Sequence, residues 1–486
     1  MKIGKVYIVG AGPSEPDLIT LKGFKVLSQA DVVIYDFLVD KEILKYAKPE
    51  AELICADTLD KERYSNGFLK RQDLINEIMV KKAKEGKNVV RLKNGDPSIF
   101  GRLNEELEYL VKNKIEFRII PGVTAATAAA CYNGIPLTAR GVSAELCITT
   151  GHEAKYKSEG IVNFETIAKL KTIVLYMSIE TLDDVVEKLI QHGKSKDTPV
   201  CVISNVSNIN QKLVVGTLKN IKEKVKKNKI TSPAVVIVGD VVKKEKKFNW
   251  FKKTKKVLFT GISKERFFEN SILFHIPTIE IKPLDNYSKM DNFIKRIIAS
   301  KHQKGYLSWI FFTSRFGVIY FFDRLFKLGY DTRDLTGIKI AAIGTSTANK
   351  LKEYGIVTDL IPKVESSLGL ATEFKKIVKN NIGKKFKVFL FRSDIADKGL
   401  NKKLVDLGVE VECCIAYKNI PHNDLPQIDF SNIDEIIFTA PSVVRSFVNR
   451  YGREVLENHN FVLKAIGDVT KKELKKFTKR KVFLIS

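Results

Sequence analysis

The stretch GKVYIVGAGPSEPDLITLKG, Gly4–Gly23, decides the fold of the first half of the chain. Val6–Val9 is an apolar run of strand length, and Gly10-Ala11-Gly12 opens a tight turn into an amphipathic helix. A glycine loop that grips a dinucleotide needs a third glycine three residues on, where helix and strand pack closely. That position is Glu15, flanked by Pro13 and Pro16. A carboxylate there repels a pyrophosphate at the helix N-terminus, where anions otherwise bind well. The turn belongs to an α/β fold, and its glycines serve something other than NAD.

Outward from this stretch, strand-like runs alternate with helical patterns: Val32–Tyr35, Val89–Leu92, Arg118–Ile120, Leu146–Thr149, Ile173–Tyr176, Val200–Ile203 and Ala234–Val238. Such alternation predicts parallel-sheet α/β structure. Pro121-Gly122 and Gly134-Ile135-Pro136 bracket a small-residue helix, which divides the half into subdomains of about 1–120 and 121–245. The lysine-dense segment 246–255 reads as a linker with little to bury, and a new strand starts at Val257. With 486 residues, the chain is too long for one core. It has 44% hydrophobic and 28% charged residues, an ordinary globular composition. No apolar run reaches the ~18 residues of a membrane span, and the N-terminus shows no signal-peptide pattern. The six cysteines (Cys55, Cys131, Cys147, Cys201, Cys413, Cys414) lack metal-ligand spacing and read as reduced thiols of a cytoplasmic protein without a metal.

The net charge of +26 is uneven: 40 Lys+Arg against 31 Asp+Glu in residues 1–250, and 42 against 25 in 251–486. An anionic partner fits this balance, be it a nucleic acid, a membrane surface or a polycarboxylate metabolite; solvated surface lysines fit it equally. The second half also echoes itself. IFFTSRFGV (310–318) is similar to IIFTAPSVV (436–444), and IAAIGTSTANKLKEYG (340–355) to LKAIGDVTKKELKKFT (463–478). Each copy ends strands in hydroxyl residues and free backbone amides, where open α/β sheets bind ligands.

Chemistry concentrates at strand ends. ADVVIYD ends in Asp36, a carboxylate facing a cleft or a loop cap. In GKNVVRLKNGDPSIFGR (86–102) the turn Asn94-Gly95-Asp96-Pro97 presents carbonyls and a carboxylate to a ligand. IIPGVTAATAAA adds a third strand–turn–helix with small side chains, followed in order by GIPLT, TGH and YM.

These segments, with VVGTL and SPAVVIVGDVV, make residues 1–250 closely resemble the tetrapyrrole (corrin/porphyrin) methylases, most specifically uroporphyrinogen-III C-methyltransferase. The resemblance implies a methylase fold of two α/β subdomains with S-adenosylmethionine between them. It implies a cofactor pocket of Pro13, Asn94, Gly95, Asp96, Ile99, Thr124, Ala125, Met177, Val206 and Ala234, and a proton acceptor at Asp36. A homodimer through this half is a further expectation. The chain departs from the family at Asn94, at Ser14-Glu15, at Ser204-Asn205-Val206-Ser207, and at Thr58, which aligns with a catalytic lysine; Lys61 or Arg63 could substitute for that charge.

Residues 256–486 resemble uroporphyrinogen-III synthase through FTSRFGV, IGTSTANKLKEYGI, FLFRSD, AYKN, FTAPSVV and AIGDVTKKEL. The implied fold has two α/β lobes joined by two crossing strands, lobe one being 256–287 plus 420–486 and lobe two 288–419. Tyr417 matches the family's cleft tyrosine, which assists departure of the substrate hydroxyl. Thr313, Ser314, Thr345, Arg392, Ser393 and Ser442 would bind substrate carboxylates. Together the resemblances imply cyclisation of hydroxymethylbilane with inversion of its last ring, then two methylations giving precorrin-2, on the way to siroheme or cobalamin. Methylation of a later corrin or of ribosomal RNA is an alternative, as is a methylase half without turnover. A non-enzymatic anion- or RNA-binding role is another, although no basic patch interleaves with aromatics.

Overall fold

The computed structural model describes residues 3–59, 67–151, 162–263, 270–300, 303, 305–396 and 399–485. The chain divides into two compact units, Met1–Lys256 with Asn270–Phe274, and Val257–Glu269 with His275–Ser486.

The first unit carries two sheets. β1 (Val6–Gly10), β2 (Val32–Tyr35), β3 (Glu52–Cys55), β4 (Val89–Lys93) and β5 (Phe117–Ile120) pair in the order β3-β2-β4-β1-β5, every pair parallel. Strand side chains alternate in direction, so β1 feeds two cores. Val6 and Ile8 join Met79 and Leu110 on one face, while Val9 joins Leu27 and Ile43 on the other. Burial on both faces is what an apolar parallel strand covered by helices requires.

The second sheet corrects the expected parallel arrangement. β6 (Leu146–Thr150), β7 (Thr172–Tyr176), β8 (Pro199–Ser204), β9 (Lys212–Thr217) and β10 (Ala234–Val238) run in the order β6-β7-β10-β8-β9. Only β6 and β7 are parallel; β10 inserts antiparallel between β7 and β8, and β8 and β9 form an antiparallel pair. An apolar run buried on both faces looks the same in either direction, so the pattern could not decide this. β3 and β9 are additional strands, each with a short apolar run, Leu53–Cys55 and Leu213–Val215, that is only partly buried.

Residues 246–255 are not a bare linker. Helices Glu245–Phe248 and Trp250–Lys253 occupy the segment, and Phe251 is buried. Trp250 Nε1 donates to the Cys131 carbonyl at 2.8 Å, and Asn249 caps the second helix by accepting from the Lys252 amide at 2.9 Å. Lysines dominate the composition here, and they mask two aromatics that pack near Tyr132.

In the second half, β11 (Lys255–Phe259), β12 (Ser271–His275), β13 (Ile279–Lys282), β14 (Tyr306–Phe312), β15 (Lys339–Ala342), β16 (Lys385–Ser393), β17 (Glu410–Pro421), β18 (Glu435–Phe438), β19 (Val462–Ile466) and β20 (Val482–Ile485) form two sheets. Their orders are β12-β11-β18-β19-β20 and β13-β17-β16-β14-β15. The internal echo has a structural counterpart. β14 and β15 are parallel neighbours followed by helices Arg315–Lys327 and Thr345–Glu353. β18 and β19 are parallel neighbours followed by helices Pro441–Tyr451 and Asp468–Leu474. β13, inside the segment 256–287 read as lobe one, pairs antiparallel with β17 of the other sheet, Ile279 opposite Pro421.

Candidate active site

The glycines after β1 serve backbone packing. Gly12 and Gly95 exchange hydrogen bonds of 3.2 and 3.0 Å, and the Ala11 amide donates to the Lys93 carbonyl at 2.8 Å. A Cβ on Gly10 would lie 2.6 Å from Gly122 Cα and from the Gly95 carbonyl oxygen, so three loops meet main chain to main chain. Asp96 braces them: it accepts from the Gly122 amide at 2.9 Å, from the Ser98 amide at 2.8 Å and from the Ser98 hydroxyl. Burial pushes its carboxyl up, yet these donors together hold it below the ordinary value.

Glu15, the residue that excludes a pyrophosphate, fastens the two subdomains. Its carboxylate accepts from the Tyr132 hydroxyl and its amide donates to Ser207 Oγ at 3.2 Å. Ser207 in turn donates to the Pro13 carbonyl at 2.5 Å.

Asp36 follows β2 with its carboxylate 28% exposed. Arg91 Nη2 reaches it at 2.5 Å, and the Asn94 amide donates to it at 3.1 Å. Burial alone would raise this carboxyl; the charges of Arg91 and Lys93 and the two hydrogen bonds outweigh it and hold the carboxyl low. Arg91 Nε and Lys93 Nζ both reach Glu106 Oε1, at 3.0 and 2.7 Å, and Glu106 is fully buried. Two cations, Arg91 and Lys93, therefore balance two carboxylates, buried Glu106 and partly open Asp36. Sequence reading missed Arg91 and Glu106; the visible signal was a charge in the middle of the strand VVRLK.

Of the predicted pocket residues, Pro13, Asn94, Gly95, Asp96 and Ile99 lie on the zipped loops after β1 and β4. Thr124 and Ala125 begin helix Ala125–Tyr132, with Thr124 Oγ1 2.5 Å from the Tyr176 hydroxyl. Met177 is left-handed (φ 50°) and 52% exposed just past β7. Val206 is buried in the core, and Ala234 starts β10. The residues fit S-adenosylmethionine. A Cβ on Gly95 would meet Val123 O and Ala125 N at 3.9 Å, so the loops after β4 and β5 face each other through main-chain donors and acceptors. Carbonyls and two ionised carboxylates suit a sulfonium better than a phosphate. Thr58 is exposed and turns its hydroxyl back to the Cys55 carbonyl at 3.0 Å. Lys61 and Arg63 lie outside the described residues.

In the second unit Tyr417 sits on β17, 6% exposed. Its hydroxyl lies 2.8 Å from Ser314 Oγ, which also accepts from the Gly317 amide as the cap of helix Arg315–Lys327. The ring stacks on Tyr320 at 5.9 Å. Burial raises the phenol's pKa, opposed by hydrogen bonds from Ser314 and Ser393. Thr313 donates to the Phe391 carbonyl at 3.1 Å, and Arg392 to the Ala396 carbonyl at 2.6 Å. Ser442 accepts from Asn419 at 3.5 Å, two residues along the strand from Tyr417. Thr345 is engaged by an internal carboxylate, Glu365, through both amide (2.8 Å) and hydroxyl (2.5 Å). Tyr417, Ser314 and Ser393 thus form one group; Asn419 and Tyr320 join their surroundings without a sequence signal.

The family model for tetrapyrrole (corrin/porphyrin) methylases matches residues 5–222, and that for uroporphyrinogen-III synthase HemD matches 271–483. Over 99% of its length the chain is 34% identical to the porphyrin biosynthesis protein HemD of Ruminiclostridium josui, covering 95% of that protein. Across 49% of the chain it is 47% identical to uroporphyrinogen-III C-methyltransferase of Methanocaldococcus jannaschii, covering 97% of that relative. Another 49% match, at 45% identity and 92% coverage, is the S-adenosyl-L-methionine-dependent uroporphyrinogen III methyltransferase of Methanosarcina barkeri.

Proposed function

The chain belongs to the tetrapyrrole methylases in its first half and to the uroporphyrinogen-III synthases in its second, and from that premise we propose which side chains carry its two reactions. It is a bifunctional enzyme of tetrapyrrole biosynthesis. The synthase half cyclises hydroxymethylbilane to uroporphyrinogen III, and the methylase half methylates that product twice to precorrin-2. The observation that carries this reading is the end-to-end match of both families on one chain.

S-adenosylmethionine, when bound, supplies an electrophilic methyl group. The loops at Pro13, Asn94–Ile99, Thr124–Ala125, Met177, Val206 and Ala234 hold it, largely through main-chain atoms. Asp36 takes a proton from elsewhere on the macrocycle as the methylated pyrrole relaxes. A carboxylate held low is a weak base, and it is ionised at every physiological pH. It therefore suits a proton made acidic by methylation, with Arg91 fixing its orientation at 2.5 Å. In the synthase half Tyr417 donates its phenolic proton to the departing hydroxyl, which leaves as water. Burial keeps that proton in place through neutral pH. Thr313, Ser314, Thr345, Arg392, Ser393 and Ser442 receive substrate carboxylates, with Glu365 yielding Thr345 to one of them.

Hydroxymethylbilane and S-adenosylmethionine are incubated with the protein and products weighed by mass spectrometry. Uroporphyrinogen III heavier by two CH2 units is expected, each methyl group having replaced a proton. Uroporphyrinogen III alone, with cofactor bound, would instead establish a methylase half without turnover. We also read the chain as a cytoplasmic homodimer joined through the methylase half. The free cysteines support a reducing compartment, and sedimentation of residues 1–254 tests the dimer. No helix among the described residues is long and apolar enough to cross a membrane.

A further inference from the structure

Phe100 lies in the loop that begins at Asn94, and two of its properties cost stability. Its backbone is left-handed (φ 52°), a conformation that bulky side chains adopt only under constraint. Its ring is 47% exposed, although phenylalanine is ordinarily core material. The ring is nevertheless fixed: its centroid lies 5.4 Å from that of Tyr176, tilted by 52°. Tyr176 is itself anchored at the end of β7, its hydroxyl accepting from the Ala126 amide at 2.7 Å and bonded to Thr124. Phe100 and Tyr176 come from different subdomains, so the exposed ring stands where the two halves of the methylase unit meet. Met177, the residue after Tyr176 in the chain, repeats the combination of left-handed backbone and exposure.

From this arrangement we infer that Phe100 is a specificity-determining residue of the methylation reaction, its ring set against an apolar face of the tetrapyrrole macrocycle. The inference rests on the methyltransferase reading above. Asp36 and Phe100 serve one loop, since the Asn94 amide holds Asp36 and Phe100 lies six residues further on. A macrocycle of four pyrroles is apolar on its faces and anionic at its rim. Cations can read the rim; the faces require an apolar surface held in place before binding, and an aromatic ring provides it at small entropic cost.

The test removes the ring without disturbing the backbone. Phe100→Gly and Phe100→Asn both tolerate a left-handed conformation. Three quantities are compared with the wild type: melting temperature, calorimetric affinity for S-adenosylhomocysteine, and affinity for uroporphyrinogen III measured both as KM and by equilibrium binding. The melting temperature is expected to stay level or rise and the cofactor affinity to hold. Macrocycle affinity is expected to fall about tenfold, the worth of one aromatic contact. Phe100→Tyr should restore it. A lowered melting temperature with unchanged macrocycle affinity would assign the ring to packing and overturn the inference. Weakened S-adenosylhomocysteine binding with unchanged macrocycle affinity would overturn it in favour of the cofactor. A wild type without methylation would count against the methyltransferase reading, and equilibrium binding would still decide for or against Phe100.

Discussion

Asp36 and Tyr417 are opposite cases of one rule, that burial favours the neutral form unless charges or donors intervene. At Asp36 they intervene: two cations and two donors more than offset desolvation. A depressed carboxyl contributes stability above its unfolded value of about 3.9 and loses it as pH falls through the lower folded value. Methylation should accordingly show no acidic decline due to Asp36 across the ordinary carboxylate range. Asp36→Asn keeps the shape and removes the base, so kcat for methylation should fall by ~10²–10⁴-fold. S-adenosylhomocysteine binding, followed by calorimetry, should persist. If kcat stayed within a few-fold of wild type, Asp36 would be a loop anchor only. At Tyr417 desolvation wins over the hydrogen bonds of Ser314 and Ser393, and the phenol is held in its proton-donating form. Tyr417→Phe should slow ring closure while methylation of supplied uroporphyrinogen III continues unchanged; a ring-closure rate equal to wild type would remove the phenol from the mechanism. Asp36 was legible because it follows a strand-like run, whereas Tyr417, inside the long strand β17, was legible only through the resemblance of AYKN to the synthases. Their supports were not: Glu106 meets Arg91 only once helix Leu103–Lys112 has docked, and spacing along the chain does not reveal which faces dock.

Among the elements, the helices between 245 and 253 show how composition can mislead. Six lysines in residues 243–253 read as solvated linker, yet Phe251 is buried and Trp250 is hydrogen-bonded to the Cys131 carbonyl. The decisive neighbour is Gly134. Its φ is 62°, and a Cβ there would collide with the Phe248 carbonyl group, which is main chain and cannot swing aside. Gly134→Ala should therefore destabilise the methylase unit, and a chain ending at 245 should be weaker than one ending at 254. Burying Phe251 alone is worth about 2–3 kcal/mol. Urea denaturation of 1–245, 1–254 and the Gly134→Ala form of 1–254 measures both effects. Equal midpoints for all three would mean that these helices add nothing. The same limit of one-dimensional reading applies to β10, whose position between β7 and β8 depends on partners far along the chain. The glycine turn after β1, by contrast, was legible as a turn, while its purpose emerged only with Gly95 and Gly122 beside it.

At the scale of the whole molecule, two catalytic programmes share one chain. Among the described residues, the buried clusters built on β1–β10 are drawn from residues 6–242, and those around β14–β17 from residues 290–417 with Ile281 and Tyr287 packed against them. Segments of roughly 230–250 residues bury enough apolar surface to fold alone. The chain cut between Thr254 and Lys255 keeps Phe251 with the first unit and β11 with the second. Residues 1–254 should methylate supplied uroporphyrinogen III, and residues 255–486 should cyclise hydroxymethylbilane. Mixed at equal concentration, they should convert hydroxymethylbilane to the dimethylated product at the steady rate of the intact chain, because a released intermediate reaches the methylase by diffusion. A tether changes only the effective concentration of one partner around the other, which sets the lag before steady state rather than the rate after it. Time courses of product mass for the cut and intact proteins distinguish the cases. Fragments that are inactive or insoluble would sink the two-module account; active fragments that never reach the intact rate would mean that fusion does more than bring the modules together.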